Sequence, residues 1–207
     1  MVTLYLASTS PARLATLKQV GLNPVTVSHR VDEEALVTEA TKAGPLTAPQ
    51  IVQLLAQAKA EDAITDSMSG VVIGGDSLFE VAGQIFGKPH TPEVAKERWL
   101  MQRGQTGVLH SGHWVIRVHD GQIVDAVGKP SQAAVTFRDD ISDDDIDKYI
   151  ATGEPLSVAG AFTIDSLGAA FIHSISGDPY TVIGLSIATV RELVQQVGLS
   201  YTDLWAS

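Results

Sequence analysis

Apolar positions along the chain switch between two spacings, and the switches mark its elements. Residues 2–7 form a short apolar run of the kind found in buried strands. The following STSP supplies hydroxyl caps, with Pro11 suited to a first helical turn, and Leu14, Leu17 and Val20 then recur at helical spacing up to a closing Gly21. A second strand is predicted around residues 24–29, running into an acidic loop, VDEE. Residues 48–64 read as a helix with Ile51, Leu54, Leu55 and Ala58 on one face and Lys59 near its end. GVVIGGDS reads as a buried strand that stops at its glycine pair, which puts Asp76 at an element end. The hairpin-like LFEVAGQIFGKP then brings Lys88 to another end, and TPEVAKERWLMQRG is a helix. Residues 108–138 read as antiparallel strands with Asp120 and Gly121 at the turn. Ser142 and Asp145 make a capping-box pattern for a helix through Ile150. After TGEPL, two short strands are predicted around residues 166–168, then a turn at SGDPY and an amphipathic helix over residues 187–197 that ends at Gly198. Helices interleaved with strands, and hairpins in the middle, give an α/β or α+β fold with a mixed sheet.

Composition narrows the function. The chain has 207 residues, 14 Lys plus Arg and 24 Asp plus Glu, for a formal charge of −10. A groove that tracks a nucleic-acid backbone needs a cationic surplus, so nucleic acid is not an expected partner, whereas a single small phosphorylated ligand remains open. The length suits one domain, residues 1–207, with room for two lobes. With no cysteine, disulfides, thiolate catalysis and Cys-ligated zinc are all excluded. The start, MVTLYLASTSPAR, lacks a basic leader, and no apolar stretch approaches the roughly 18 residues that span a bilayer. The expectation is a cytoplasmic protein with no membrane partner.

Three constellations have chemistry in them. STSPAR joins a strand end, hydroxyls, the positive end of a helix and Arg13, which together make an anion site suited to phosphate; an ordinary Ser cap with a solvated Arg is the plainer account. GGDS exposes a carboxylate beside glycines, where it can bind Mg²⁺ or Mn²⁺ or deprotonate water, or simply shape a turn. Glu33, Lys59 and Lys88 add an acid and two cations on other segments, a set that fits a metal triphosphate, although single surface charges are commonly silent.

STSPAR, LAQAKA, GGDS, GKP and AGAF, in this order and spacing, resemble the Maf family of nucleotide pyrophosphatases, the septum-formation-inhibitor homologues, over residues 4–193. The resemblance implies a two-lobed α/β fold like that of the inosine triphosphatases, around a curved mixed sheet with a central cleft. It implies hydrolysis of a nucleoside triphosphate, normal or modified, between the α and β phosphates, giving the monophosphate and pyrophosphate with a divalent cation, Mg²⁺ or Mn²⁺. By the same similarity Asp76 is the proton acceptor and a metal ligand with Glu33. Ser8, Ser10 and Arg13 cradle phosphates, and Lys59 and Lys88 neutralise developing charge. A role in nucleotide-pool sanitation or septum arrest, and a homodimer, are further implications.

Departures from the family pattern fall on substrate choice. Ala12 stands where the family has a first arginine, Ser77 where many relatives have threonine, and Asp165 where AGAY is commonly followed by a base-reading glutamine. A carboxylate accepts hydrogen bonds, so Asp165 suits a base edge rich in donors, such as a purine amino face. Val158 and Ser186 also differ from frequent family residues, Lys and Pro respectively. His110, His113 and His119 alternate along a strand and read as core or surface residues. The aspartates of DDISDDDID lack the glycine and final glutamate of a calcium loop and read as helix-capping acids. Two functions of different kinds follow: a metal-dependent nucleoside triphosphate pyrophosphatase, or a non-catalytic nucleotide sensor regulating division. A phosphomonoesterase is the weaker enzymatic rival, distinguished by release of orthophosphate.

Overall fold

A computed structural model describes residues 2–205 of the chain. In chain order the elements are β1 (Leu4–Ala7), α1 (Pro11–Gln19), β2 (Val25–Thr26), α2 (Glu33–Thr41), α3 (Ala48–Asp62), β3 (Gly70–Val81), β4 (Gln84–Phe86), α4 (Pro92–Gln102), β5 (Thr106–His119), β6 (Gln122–Gly128), β7 (Ser131–Phe137), α5 (Asp143–Ala151), β8 (Ile172–Gly177), α6 (Pro179–Ile183) and α7 (Ile187–Gln196). The sheet is mixed, in the order β2-β1-β3-β5-β7-β8, with β4 added to β3 and β6 to β5. β1 runs parallel to β2 and β3, while β3 with β4, β5 with β6, and β7 with β8 are antiparallel. The α/β class with a mixed sheet is therefore as expected.

Local chemistry explains most boundaries. Ser10 caps α1 by accepting from the Arg13 N–H, Pro11 opens the helix, and Gly21 (φ 81) follows its end. Ser142 and Asp145 form the expected capping box of α5. Ala82 and Gly83, both at positive φ, close the β3–β4 hairpin, and Asp120 with Gly121 does the same between β5 and β6.

Several expectations are corrected. The acidic VDEE segment is not a loop: Asp32 accepts from the Ala35 N–H and starts α2, so Glu33 stands in a helical first turn. Strand β3 does not stop at the glycine pair but continues to Val81, which places Asp76 within a strand. The reason is close packing, since a Cβ on Gly74 would lie 2.2 Å from the Ala56 carbonyl oxygen. The buried face of α3 is Val52, Leu55, Ala56, Lys59 and Ala60, with Ile51, Leu54 and Ala58 only half-buried. Of the two short strands predicted on either side of residues 166–168, the second is present as β8, whereas the first is replaced by 3-10 turns over Glu154–Ser157 and Ala159–Ala161, with a further one at Leu167–Phe171. The turn at SGDPY opens α6.

The chain divides into two compact units: residues 1–76, 111–131 and 184–207, and residues 77–110 and 132–183. The first unit buries Leu4, Leu6, Leu17, Ile73, Leu185 and Leu193 in one apolar cluster and Val72, Met68 and Ile116 in another. The second unit buries Phe79, Trp99, Phe137 and Phe162 with Ile146 and Val135. Its aromatic rings meet edge to face at 5.0–5.9 Å, an arrangement worth about 0.5–1.5 kcal/mol per pair beyond the area buried. Among the described residues no helix is long and apolar enough to cross a membrane.

Candidate active site

The first unit gathers most of the expected site residues. Ser8 directly follows β1, Ser10 caps α1, and Arg13 sits one turn into that helix with its side chain buried. Arg13 Nη1 donates to Ser8 Oγ at 3.0 Å and Nε donates to the Gly184 carbonyl at 2.8 Å. The Ser10 N–H also donates to Ser8 Oγ, at 3.2 Å. These bonds hold the guanidinium in one place, which a cation intended for a phosphate needs. Gly75 makes room for it, because a Cβ there would sit 3.2 Å from Arg13 Nε.

Beside this cradle lies a charge cluster. Lys59, on the buried face of α3, places Nζ 2.7 Å from Asp76 Oδ1 and 2.7 Å from Glu33 Oε1. Lys59 and Asp76 are both buried, at 5% and 8% exposure, so this ammonium is the counter-charge that makes a buried carboxylate tolerable. Burial pushes the Asp76 carboxyl above its ordinary value, and Lys59 and Arg13 work against that rise. Burial lowers the Arg13 value, with Asp76 and Glu33 opposing. The result is a carboxylate whose basicity is greater than that of an exposed aspartate, a property suited to accepting a proton from water.

His29 belongs to the same cluster and was not singled out by its sequence context. Burial and the Lys59 charge lower its pKa, against Glu33, Asp62 and Asp76, so the imidazole is neutral near pH 7. Its Nδ1 is buried without a hydrogen-bond partner, while the neighbouring Arg30 N–H donates to Asp62 Oδ2 at 2.6 Å and ties the segment to α3. In the sequence His29 immediately precedes the acidic segment, in the run HRVDEE.

A divalent cation can be tested against these donors. Among the described residues no three His, Cys, Asp or Glu side chains converge as ligands. Glu33 and Asp76 nevertheless reach one common point, the Lys59 ammonium. Mg²⁺ is commonly held by one or two carboxylates, with substrate phosphates and water completing its octahedron, so the oxygen-only pair fits such an ion.

The second unit holds the other expected residues. Lys88 is exposed in the GKP segment, whose Gly87 carbonyl accepts from Arg98 Nη1 at 2.6 Å and from the Gly160 N–H at 3.3 Å. That pins the segment to the AGA turn, where Gly160 and Ala161 both take positive φ. Ser77 follows Asp76 in β3, and Asp165 is exposed between the 3-10 turns Ala159–Ala161 and Leu167–Phe171. Ala12 is the exception: it lies in the first unit, half-buried in the first turn of α1.

The histidines of β5 are structural. The Ser186 N–H donates to His113 Nε2 at 2.8 Å, which leaves the ring proton on Nδ1, 3.2 Å from the Lys129 carbonyl. His110 Nε2 pairs with Glu80 at 3.0 Å, and His119 is exposed.

The profile of the Maf-like protein family matches residues 3–197. A nucleoside triphosphate pyrophosphatase of Leifsonia xyli subsp. xyli is 54% identical over 208 residues, covering 98% of this chain and 96% of its own. Proteins of the same name from Rhodococcus erythropolis and Corynebacterium efficiens are 44% and 45% identical, over 99% and 98% of this chain and 97% and 98% of theirs. Among solved structures, the Staphylococcus aureus Ham1 protein aligns at 12% identity with a TM-score of 0.42, over 98% of this chain and 93% of its own.

Proposed function

The chain belongs to the Maf family, and from that premise we infer that it is a nucleoside triphosphate pyrophosphatase, releasing a nucleoside monophosphate and pyrophosphate. The observation that supports this reading best is the Lys59 ammonium set between Glu33 and Asp76, beside a preorganised Arg13. In the reaction a water oxygen bonds to the α phosphorus as the bond from that phosphorus to the bridging oxygen breaks. Pyrophosphate leaves with the electron pair, and the water proton passes to the Asp76 carboxylate. Its raised basicity favours that transfer. Arg13, held by Ser8 and Gly184, is the fixed donor to phosphate oxygens, and the Ser8 and Ser10 hydroxyls line the same helix start. Lys59 keeps Asp76 ionised until the proton arrives. Glu33 and Asp76 are the carboxylates that would hold Mg²⁺ or Mn²⁺, and such an ion would supply charge neutralisation at the phosphates and make water more acidic. Lys88 is proposed as a further phosphate-neutralising cation, and Asp165 as the residue that selects bases with amino donors. Ala12 and Ser77 are proposed to adjust the same selection.

The test is product analysis. Purified protein is incubated with a panel of normal and modified nucleoside triphosphates plus Mg²⁺ or Mn²⁺, and the products are separated by anion exchange. Monophosphate with pyrophosphate is the expected outcome; diphosphate with orthophosphate overturns the cleavage position. Asp76→Asn is expected to keep nucleotide binding and lose about 10²- to 10⁴-fold in turnover, the contribution of a positioned base. Undiminished turnover in that variant removes Asp76 from the role.

A further inference from the structure

Glu154 follows Gly153, which takes a positive φ of 78, and opens the first 3-10 turn of the second unit. Both of its carboxylate oxygens are engaged. Oε1 accepts from Tyr149 Oη at 2.9 Å, from Thr163 Oγ1 at 2.5 Å and from the Gly168 N–H at 3.0 Å. Oε2 accepts from Ser166 Oγ at 2.7 Å and from the Leu167 N–H at 3.2 Å. Except for Tyr149, every donor lies in residues 163–168, which wrap around this single carboxylate. Gly168 lets the wrap close, because a Cβ there would lie 2.5 Å from Tyr149 Oη and 2.7 Å from the Thr163 carbonyl oxygen. Asp165 is carried in the same wrapped segment, exposed, and is not one of the donors.

We infer that Glu154 is a positioning residue for base selection: it touches no substrate, but by gathering the Thr163, Ser166, Leu167 and Gly168 donors it fixes where Asp165 is presented. This rests on the reading of Asp165 as the base-selecting residue. Burial alone would raise the Glu154 carboxyl, yet the hydrogen bonds from Thr163, Ser166, Gly168 and Tyr149 pull it down to about 2. The group is therefore a pure acceptor at neutral pH, and its bonds are charge-assisted. A glutamine of the same size retains one carbonyl oxygen but turns an N–H₂ group toward donors, from which it cannot accept.

Kinetics of pyrophosphate release from ATP, GTP, CTP, UTP and dTTP by the full chain separates positioning from bulk stability. For Glu154→Gln the ratio of kcat/KM between the best and the second nucleotide is expected to fall about tenfold, through KM, with kcat for the best substrate within about twofold. Thr163→Val and Ser166→Ala each remove one bond and are expected to move the ratio in the same direction by smaller steps; they decide the matter if Glu154→Gln does not fold. Asp165→Asn is measured on the same panel. If Asp165→Asn changes the ratio and the Glu154 or single-bond variants leave it as in the parent, or slow all nucleotides equally, Glu154 only stabilises the fold and the inference fails while the base reading stands. If Asp165→Asn also leaves the ratio unchanged, the base reading fails and takes the inference with it.

Discussion

Lys59 is the residue on which the site's electrostatics turn, because one ammonium serves two carboxylates of different burial. Removing a partner from a buried pair costs more than the pair itself contributes, since the remaining charge is stranded. Lys59→Met is expected to lower unfolding free energy by about 3 kcal/mol, read from urea denaturation. Adding Asp76→Asn to it should recover most of that loss by removing the stranded charge; strict additivity of the two changes would contradict the coupling. Asp76, Glu33, Lys59, Arg13 and Ser8 were all legible as chemistry in the sequence, because their types and the family order of their motifs pointed to phosphate. What the sequence could not show was that Lys59 contacts both acids, since α3, α2 and β3 meet only in three dimensions. Glu154 was missed for the opposite reason: its partners are close in sequence, but TGEP reads as an ordinary turn and carries no apolar pattern.

Elements whose ends are written in side-chain chemistry were read well, and those shaped by neighbours were not. The α5 capping box and the Asp120-Gly121 turn depend on adjacent residues alone, so both were visible. Helix α2 has no buried residue, hence no apolar stripe, and its acids look like a solvated loop until Asp32 is seen capping it. The glycine pair of β3 looked like a stop because glycine usually ends strands. Here Gly74 permits α3 to lie against the strand, with Ala60 Cβ 2.8 Å from where its own Cβ would be. Gly74→Ala is expected to cost about 3 kcal/mol through overpacking against backbone, seen as a lowered urea midpoint. An unchanged midpoint would mean that α3 can shift freely, and with it Lys59.

At the scale of the molecule, periodicity gives a mixed sheet with interleaved helices, α/β or α+β, and the family resemblance narrows this to α/β, but neither says which core each element would join. Strand β3 alone gives Val71 and Ile73 to one cluster and Phe79 and Val81 to another. Acid sensitivity is expected to be uneven for the same reason. The Glu154 carboxyl has an ordinary value of 4.5 and a folded value of about 2, so the folded state binds its proton less readily than the unfolded state. Its contribution to stability is complete above the ordinary value and is lost as pH falls from there toward the folded one. Protection of the Leu167 and Gly168 amides, taken relative to the intrinsic exchange rate at each pH, should fall across that window; protection that stays flat with pH would show that the carboxylate does not hold the wrap. The division of the chain has a consequence for biosynthesis as well. Leu185, Val190 and Leu193, in the last stretch of the first unit, pack on Leu4, Leu6 and Leu17 near its start. A nascent chain leaving the ribosome therefore holds the beginning of that core open until the final segment emerges, while the residues of the second unit have already been made.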